Sequence, residues 1–593
     1  MTINEKIKNL REQMKKHNID TYLITKLDPH NSEISHEYFN GVLYMSGFTG
    51  SNGTIVITQE EACLWTDGRY FLQAEKELKN SEFILQKIDV AGYPTYIDYI
   101  KDKTKKGGAL GFDGTSLTVT MFSDLSYNLK NKNISFFCEQ SLLDIIWENR
   151  PKLSDFKIID HLIKYAGKSR TDKIKEVQNF MVADGVDYYL ISSLDSIAWL
   201  FNLRGKDVAS EPTFLSYALI EKNSATLFVD SEKISDVSDI LKNDNVKVKN
   251  YNDIFDNLKN SDNNKIIAIN PNYTNYLISE VIKNLNIFNL KTDYTATLKS
   301  QKNETEIENI KNVNIRDSVL LLKAVKWIKE NAGKVEFDEC DVAKLVTEQR
   351  AKDENYFSNS FEPIVGFGDN GAIIHYRPQK DDCKKIENNN FLLIDSGGQY
   401  YDGTTDVTRA LVLGEITDEM KKHFTYVLKS NIALTKAIFI AGTTGLQIEY
   451  AARKIMWDNH MHYRTGTGHG IGFFLNVHEG PHSISPRFID TPLKEGMLLS
   501  NEPGVYRDGK YGIRTETNIL VKKSVSNEYG DFLEFETVSF FPIDVNGIDV
   551  SLLTDEELLW INNYHEEVFK KLSPFLDDEE KTFLKEETKK LLK

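Results

Sequence analysis

The stretch FLLIDSGGQYYDGTTDVTRALVL, residues 391–413, joins two apolar, β-branched runs through a glycine-rich turn. The first run carries Asp395 and the second Asp406. A hairpin that points two carboxylates inward from well-formed strands calls for a cation between them, because buried charge must be paired or metal-bound.

Three further stretches downstream set a ligand-type side chain beside glycine or proline, where the backbone turns sharply enough to aim it into a cleft. GTGHGIG carries His469, LLSNEPGVY carries Glu502, and GIRTETNILV carries Glu516. Taken singly, each acid is as well explained as a turn or loop residue. In YGIRTETNILV, however, Arg514, Glu516 and Asn518 alternate with Ile513, Thr515, Thr517 and Ile519, which gives one strand with a polar face in apolar surroundings.

Four carboxylates crowded together would raise one another's pKa. Two divalent cations cancel that charge, and a neutral imidazole completes the shell without adding to it. An oxygen-rich set with one histidine favours Mn²⁺, Co²⁺, Fe²⁺ or Zn²⁺ over a thiolate-type zinc site. Two such ions, about 3.5–4 Å apart, activate a water and hold a carbonyl. His375 in AIIHYRP and His478 in FLNVHEGPHSISP lie beside these stretches and are candidates for proton transfer and oxyanion contact. His482 reads as loop structure.

Composition sets the frame for this site. At 593 residues the chain exceeds one hydrophobic core, so roughly two to four domains are expected. Lys plus Arg number 72 against 88 for Asp plus Glu, and the net charge of -16 argues against binding a phosphate backbone, so nucleic acid is not an expected partner. Cys63, Cys138, Cys340 and Cys383 have no C-x-x-C spacing and read as buried thiols in a reducing compartment. The N-terminal MTINEKIKNLREQMKKHNID is charged and amphipathic, and no run of about 18 apolar residues occurs. The expectation is a cytoplasmic protein without a membrane span.

Along the chain, NIDTYLITKLD (18–28) returns as GVDYYLISSLD (185–195), each after a charged amphipathic helix, which indicates an internal duplication. The expected organisation is an α/β domain over 1–160, a second over 161–302, a third region over 303–540 that holds every chemical cluster, and a C-terminal helical extension over 541–593, broken at Pro574. Composition leaves open whether that extension is a solvated appendage or a packing or dimer element.

The order Asp, Asp, His, Glu, Glu, together with HYRP, DSGGQYYDGTTDVTR, GTGHGIG, VHEGP, NEPG and GIRTETN, resembles the pita-bread metallopeptidases, which include methionine aminopeptidase, prolidase and aminopeptidase P, the last in family M24B. GFTGSNGTIVIT, LWTDGRYFLQAEKEL and DSIAWLFNLRGKDV extend the likeness to the long, three-domain aminopeptidases P over nearly the whole chain.

The resemblance implies an α/β fold in which two creatinase-type N-terminal domains precede a pita-bread catalytic domain. It implies that Asp395, Asp406, His469, Glu502 and Glu516 bind two metal ions, usually manganese, with Co²⁺ or Zn²⁺ as alternatives. His375, His478 and Glu502 form the implied catalytic set, and Arg69 of TDGRYF joins His375, His469 and His478 in substrate binding. A homodimer is also implied. The chain departs from the family at Thr465, where a histidine is common, which puts the proline-side pocket in question.

The expected activity is release of the N-terminal residue from peptides with proline second, by a hydroxide activated between two metal ions. Prolidase-like cleavage of X-Pro dipeptides is the first alternative, and the duplicated N-terminal module counts against it. A creatinase-like metal-free hydrolase would have lost the ligands, and a non-catalytic binding protein on this fold is the remaining reading.

Overall fold

The computed structural model describes every residue except Asp381, and of Leu72 the backbone only. The chain divides into two compact units. The first comprises Met1–Asp160, Arg170–Ala209 and Thr213–Thr295, and the second comprises His161–Ser169, Ser210–Pro212 and Ala296–Lys593.

The first unit opens with the helix Ile3–Lys16, which starts at a capping box between Thr2 and Glu5. Its Ile7, Leu10 and Met14, spaced to share one face, are fully buried against Ile24, Ile55 and Leu64. Each such side chain contributes about 1.5–3 kcal/mol. The strand Thr21–Thr25 follows, buried at every position, as a strand covered on both faces must be.

The repeated motif becomes a repeated sheet. One six-stranded sheet runs Phe83–Lys87, Ala62–Thr66, Thr54–Thr58, Thr21–Thr25, Ala109–Gly111 and Ser135–Phe137 from edge to edge. The other runs Val246–Lys249, Ser224–Val229, Ser216–Glu221, Tyr188–Ile191, Ile266–Ile269 and Asn286–Asn289 in the same order. Every neighbouring pair has the same sense in both: two antiparallel pairs near the middle and three parallel ones. Thr21–Thr25 and Tyr188–Ile191, the strands of the two matching sequence stretches, occupy equivalent places, as duplication requires.

The second unit is built on the 28-residue helix Glu304–Asn331, packed with the helix Glu339–Arg350, and on the helices Asp418–Thr435 and Gly445–Asp458. One sheet pairs Asn389–Ser396 with Ile364–Phe367 on one side and Val407–Gly414 on the other. A six-stranded sheet holds Leu498–Asn501 between Thr517–Asn527 and Gly468–Gly470.

Several expectations change here. Residues between the two carboxylate strands are more than a turn: Gly398–Tyr400 pairs with Gly403–Thr404 on one side and with Tyr356–Asn359 on the other, in a small sheet of their own. YGIRTETNILV is not one strand, because Tyr511–Arg514 pairs with Gly504–Arg507, whereas Thr517–Asn527 pairs with Leu498–Asn501. The break falls at Thr515 and Glu516, which frees Glu516 from sheet geometry.

His482 is no loop residue. It lies in the strand Glu479–Ile484, is 2% exposed, and meets the Leu498 carbonyl through Nε2 at 3.1 Å. Burial, with Lys302 beside it, lowers its pKa to about 4. Cys340 and Cys383 are joined in a disulfide rather than free as expected, because the backbone brings Glu339 N–H to Lys384 O at 3.1 Å. Cys63 is buried and Cys138 half-buried.

The C-terminal helices Asp555–Leu572 and Asp578–Glu587 pack rather than trail in solvent. Ile561, Val568, Leu572 and Leu584 share a core with Leu322, Val325 and Ile328 of the long helix. Lys329 anchors the end of the tail through Glu587 and also holds Asp544 at 2.7 Å. Among the described residues, no helix is long and apolar enough to cross a membrane.

Candidate metal centre

Asp395 is the penultimate residue of Asn389–Ser396 and sits opposite Thr408, two residues beyond Asp406. Both carboxylates are buried. His469 lies in the short strand Gly468–Gly470, where a Cβ on Gly468 would fall 1.9 Å from the Ser500 carbonyl, so glycine lets this strand close on the one leading to Glu502. Ser500 ties the two together, accepting from His469 N–H at 3.0 Å and donating to Glu502 Oε1 at 3.0 Å. Glu516 N–H donates to the Thr408 carbonyl at 3.2 Å, and the Thr408 hydroxyl donates to Glu516 Oε2 at 2.8 Å.

Asp406, His469 and Glu516 each offer a ligand atom within 4.8 Å of the other two. His469 Nδ1 lies 3.0 Å from the Gly470 carbonyl, which can only accept, so Nδ1 carries the proton and Nε2 is left facing Asp406 at 3.5 Å and Glu502 at 3.4 Å. Asp395 Oδ1 and Glu516 Oε1 are buried with no hydrogen-bond partner. Buried acceptors in that state carry the full desolvation cost unless a cation meets them, so the donor set fits hard or borderline dications.

Electrostatics point the same way. Burial pushes the Asp395 pKa up to about 6 against the pull of Arg514, with Asp406 and Glu502 adding to the rise. Burial and the neighbouring Asp406, Glu502 and Asp395 hold Glu516 well above the usual carboxylate range. Burial alone would lower His469, but Asp406, Glu502 and the Gly470 carbonyl outweigh it and raise it to about 9. Without cations the cluster therefore holds protons where ligands need lone pairs.

Arg514 was missed as a member of the site, although its place on the polar face of GIRTETN signalled a buried charge. Its guanidinium pairs with Asp395 Oδ2, donates to the Tyr506 hydroxyl at 2.7 Å and to Thr408 Oγ1 at 3.1 Å, and comes within 3.9 Å of Glu502. Tyr506 and Thr408 gave no signal of their own in the sequence.

The other candidates are less tightly gathered. His478 is exposed, its ring 4.3 Å from that of His469 at 73°. The segment before it is held where Gln399 Nε2 donates to the Leu475 carbonyl at 2.7 Å. His375 is exposed in the turn after the short helix Gly368–Ala372. Thr465 is half-buried, and its carbonyl accepts from Arg453 Nη2 at 2.9 Å. Arg69 belongs to the first unit, where Nε and Nη2 clasp Asp67 at 2.9 and 2.8 Å.

Family profiles cover most of the chain. The Creatinase/Prolidase N-terminal domain matches residues 6–138 and, in a second form, 149–306; metallopeptidase family M24 matches 308–523; the C-terminal region of peptidase M24 matches 531–591. Aminopeptidase P2 of Arabidopsis thaliana is 37% identical over 97% of this chain and 87% of its own length. The chain belongs to metallopeptidase family M24. As a member of that family it carries two creatinase-type domains ahead of a pita-bread domain.

Among solved structures, X-prolyl aminopeptidase from Caenorhabditis elegans, described as a cytosolic enzyme with a di-nuclear active site, is 30% identical and superposes with a TM-score of 0.94 over 100% of both chains. Prolidase from Pyrococcus horikoshii, at 24% identity and a TM-score of 0.50, shares the fold over 63% of this chain and 99% of its own.

Proposed function

We propose that this M24 chain is a metal-dependent aminopeptidase that removes the N-terminal residue from peptides with proline in second position. The observation that carries the reading is the cluster of buried Asp395, Asp406 and Glu516 with half-buried His469 and Glu502, in which Asp395 Oδ1 and Glu516 Oε1 are left unpartnered for a cation. The full-length likeness to X-prolyl aminopeptidase supports the substrate class. Prolidase matches only 63% of the chain, which weighs against the dipeptidase alternative.

Those five residues would hold two divalent ions, manganese by the family resemblance, and the ions supply Lewis acidity that lowers the pKa of water and polarises the scissile carbonyl. The remaining steps fall to the chain. Glu502, oriented by the Ser500 hydroxyl, accepts the proton of the attacking water. His375 donates to the developing oxyanion. His478, beside His469, protonates the prolyl nitrogen, which has no N–H of its own and leaves as an amine. Arg69 completes the proposed substrate contacts. The proposed state is a cytosolic homodimer, which light scattering tests directly.

The experiment is hydrolysis of Arg-Pro-Pro and of an X-Pro dipeptide by metal-stripped protein, restoring Mn²⁺, Co²⁺ and Zn²⁺ singly. Turnover of the tripeptide, restored best by one ion, is expected. Asp406→Ala and Glu516→Ala should abolish it with circular dichroism unchanged; near-normal cleavage by either variant would sink the ligand assignment.

A further inference from the structure

Glu339, at the start of the helix Glu339–Arg350, is fully buried, and no motif singles it out. Four neutral groups donate to its carboxylate. Phe367 N–H reaches Oε1 at 2.7 Å, Asn370 Nδ2 both oxygens at 3.0 Å, the Tyr376 hydroxyl Oε2 at 2.9 Å, and Lys384 N–H Oε2 at 2.9 Å. Only an ionised carboxylate accepts on every lone pair, whereas an amide would turn donors against donors.

These four groups mark out one arm of the chain. Phe367 ends the strand Ile364–Phe367, whose Ile364 pairs with Asp395. Asn370 lies in the short helix Gly368–Ala372, and Tyr376 directly follows His375. Lys384 is on the return, next to Cys383, which is bonded to Cys340 beside Glu339. The arm is also seated near the metal ligands: a Cβ on Gly512 would fall 1.7 Å from the Gly371 carbonyl, and Gly512 lies four residues before Glu516. One carboxylate thus grips the arm at its root, at the residue after His375 and at its return.

We propose that Glu339 is a positioning residue that fixes the arm carrying His375, so that this exposed histidine is presented to substrate at a set distance from the metal ligands. The proposal rests on the reading of His375 as the oxyanion contact. It assigns the carboxylate a role in turnover that metal binding does not share.

The test is steady-state kinetics on Arg-Pro-Pro with Mn²⁺-loaded protein for Glu339→Gln, Tyr376→Phe and His375→Ala, and for each of the first two combined with His375→Ala. Glu339→Gln should lower kcat at least about tenfold and Tyr376→Phe about threefold, with KM within about twofold. Metal content by elemental analysis should stay at the wild-type level. In the His375→Ala background neither change should lower kcat further, because the group they position is gone.

Folded, metal-replete Tyr376→Phe with wild-type kcat, or losses that multiply in the His375→Ala background, would overturn the proposal. If Glu339→Gln does not fold, Tyr376→Phe and its double variant decide. Wild-type kcat in His375→Ala alone would instead refute the catalytic reading of His375, and the positioning role would fall with it.

Discussion

Arg514 and His469 set the protonation balance at the residue scale. The Asp395 pKa rises from 3.8 to about 6, so its ionisation costs stability that is fully lost above pH 6 and recovered toward 4. The His469 pKa rises from 6.5 to about 9, so its contribution is complete below 6.5 and disappears as the pH climbs to 9. Both signs agree: metal-stripped protein should lose thermal stability as the pH rises, through Asp395 between pH 4 and 6 and through His469 between pH 6.5 and 9. Metal binding must expel the same protons, so affinity should rise over that range. Competition titration with a metal indicator at pH 6 and pH 8 checks this, and weaker binding at the higher pH would contradict it. Asp395, Asp406, His469, Glu502 and Glu516 were legible as candidates because glycine and proline flank acids that do not belong in a core. Of Arg514 only its place on a polar strand face was legible, since its partners Thr408 and Asp395 lie 106 and 119 residues away in sequence.

At the scale of elements, close backbone approach organises the site. The strand Tyr511–Arg514 lies against the short helix Gly368–Ala372 through Gly512 and Gly371, with no room for a side chain. Gly512→Ala should therefore push the two apart, destabilising the second unit by about 1–3 kcal/mol and lowering kcat through Arg514 and the His375 arm. Thermal melts with kinetics test this; wild-type values in both would show that the contact is compliant. The repeated helix and strand of the first unit were readable from NIDTYLITKLD and GVDYYLISSLD, because period and burial are local. The break in YGIRTETNILV and the small sheet inside DSGGQYYDGTTDVTR were not, because each depends on which distant strand supplies the ladder.

Over the whole molecule, the C-terminal helices are part of the second core. Truncation after Thr554 would uncover the long helix at Leu322, Val325 and Ile328 and leave Lys329 without Glu587. The expected outcome is aggregated protein on size exclusion, and a soluble, active truncation would refute it. The tail's sequence left packing and solvation equally open, since its apolar residues are sparse and only the partner surface shows that they are covered. What the sequence determined by itself was the duplicated α/β module and the identity of the acids and histidine in the candidate site, because both are written in local spacing. The tertiary structure alone decided which of their oxygens stay unpaired, which guanidinium shares their charge and which buried carboxylate grips the His375 arm. Those outcomes depend on desolvation and on contacts between segments remote in sequence, and no local pattern encodes either.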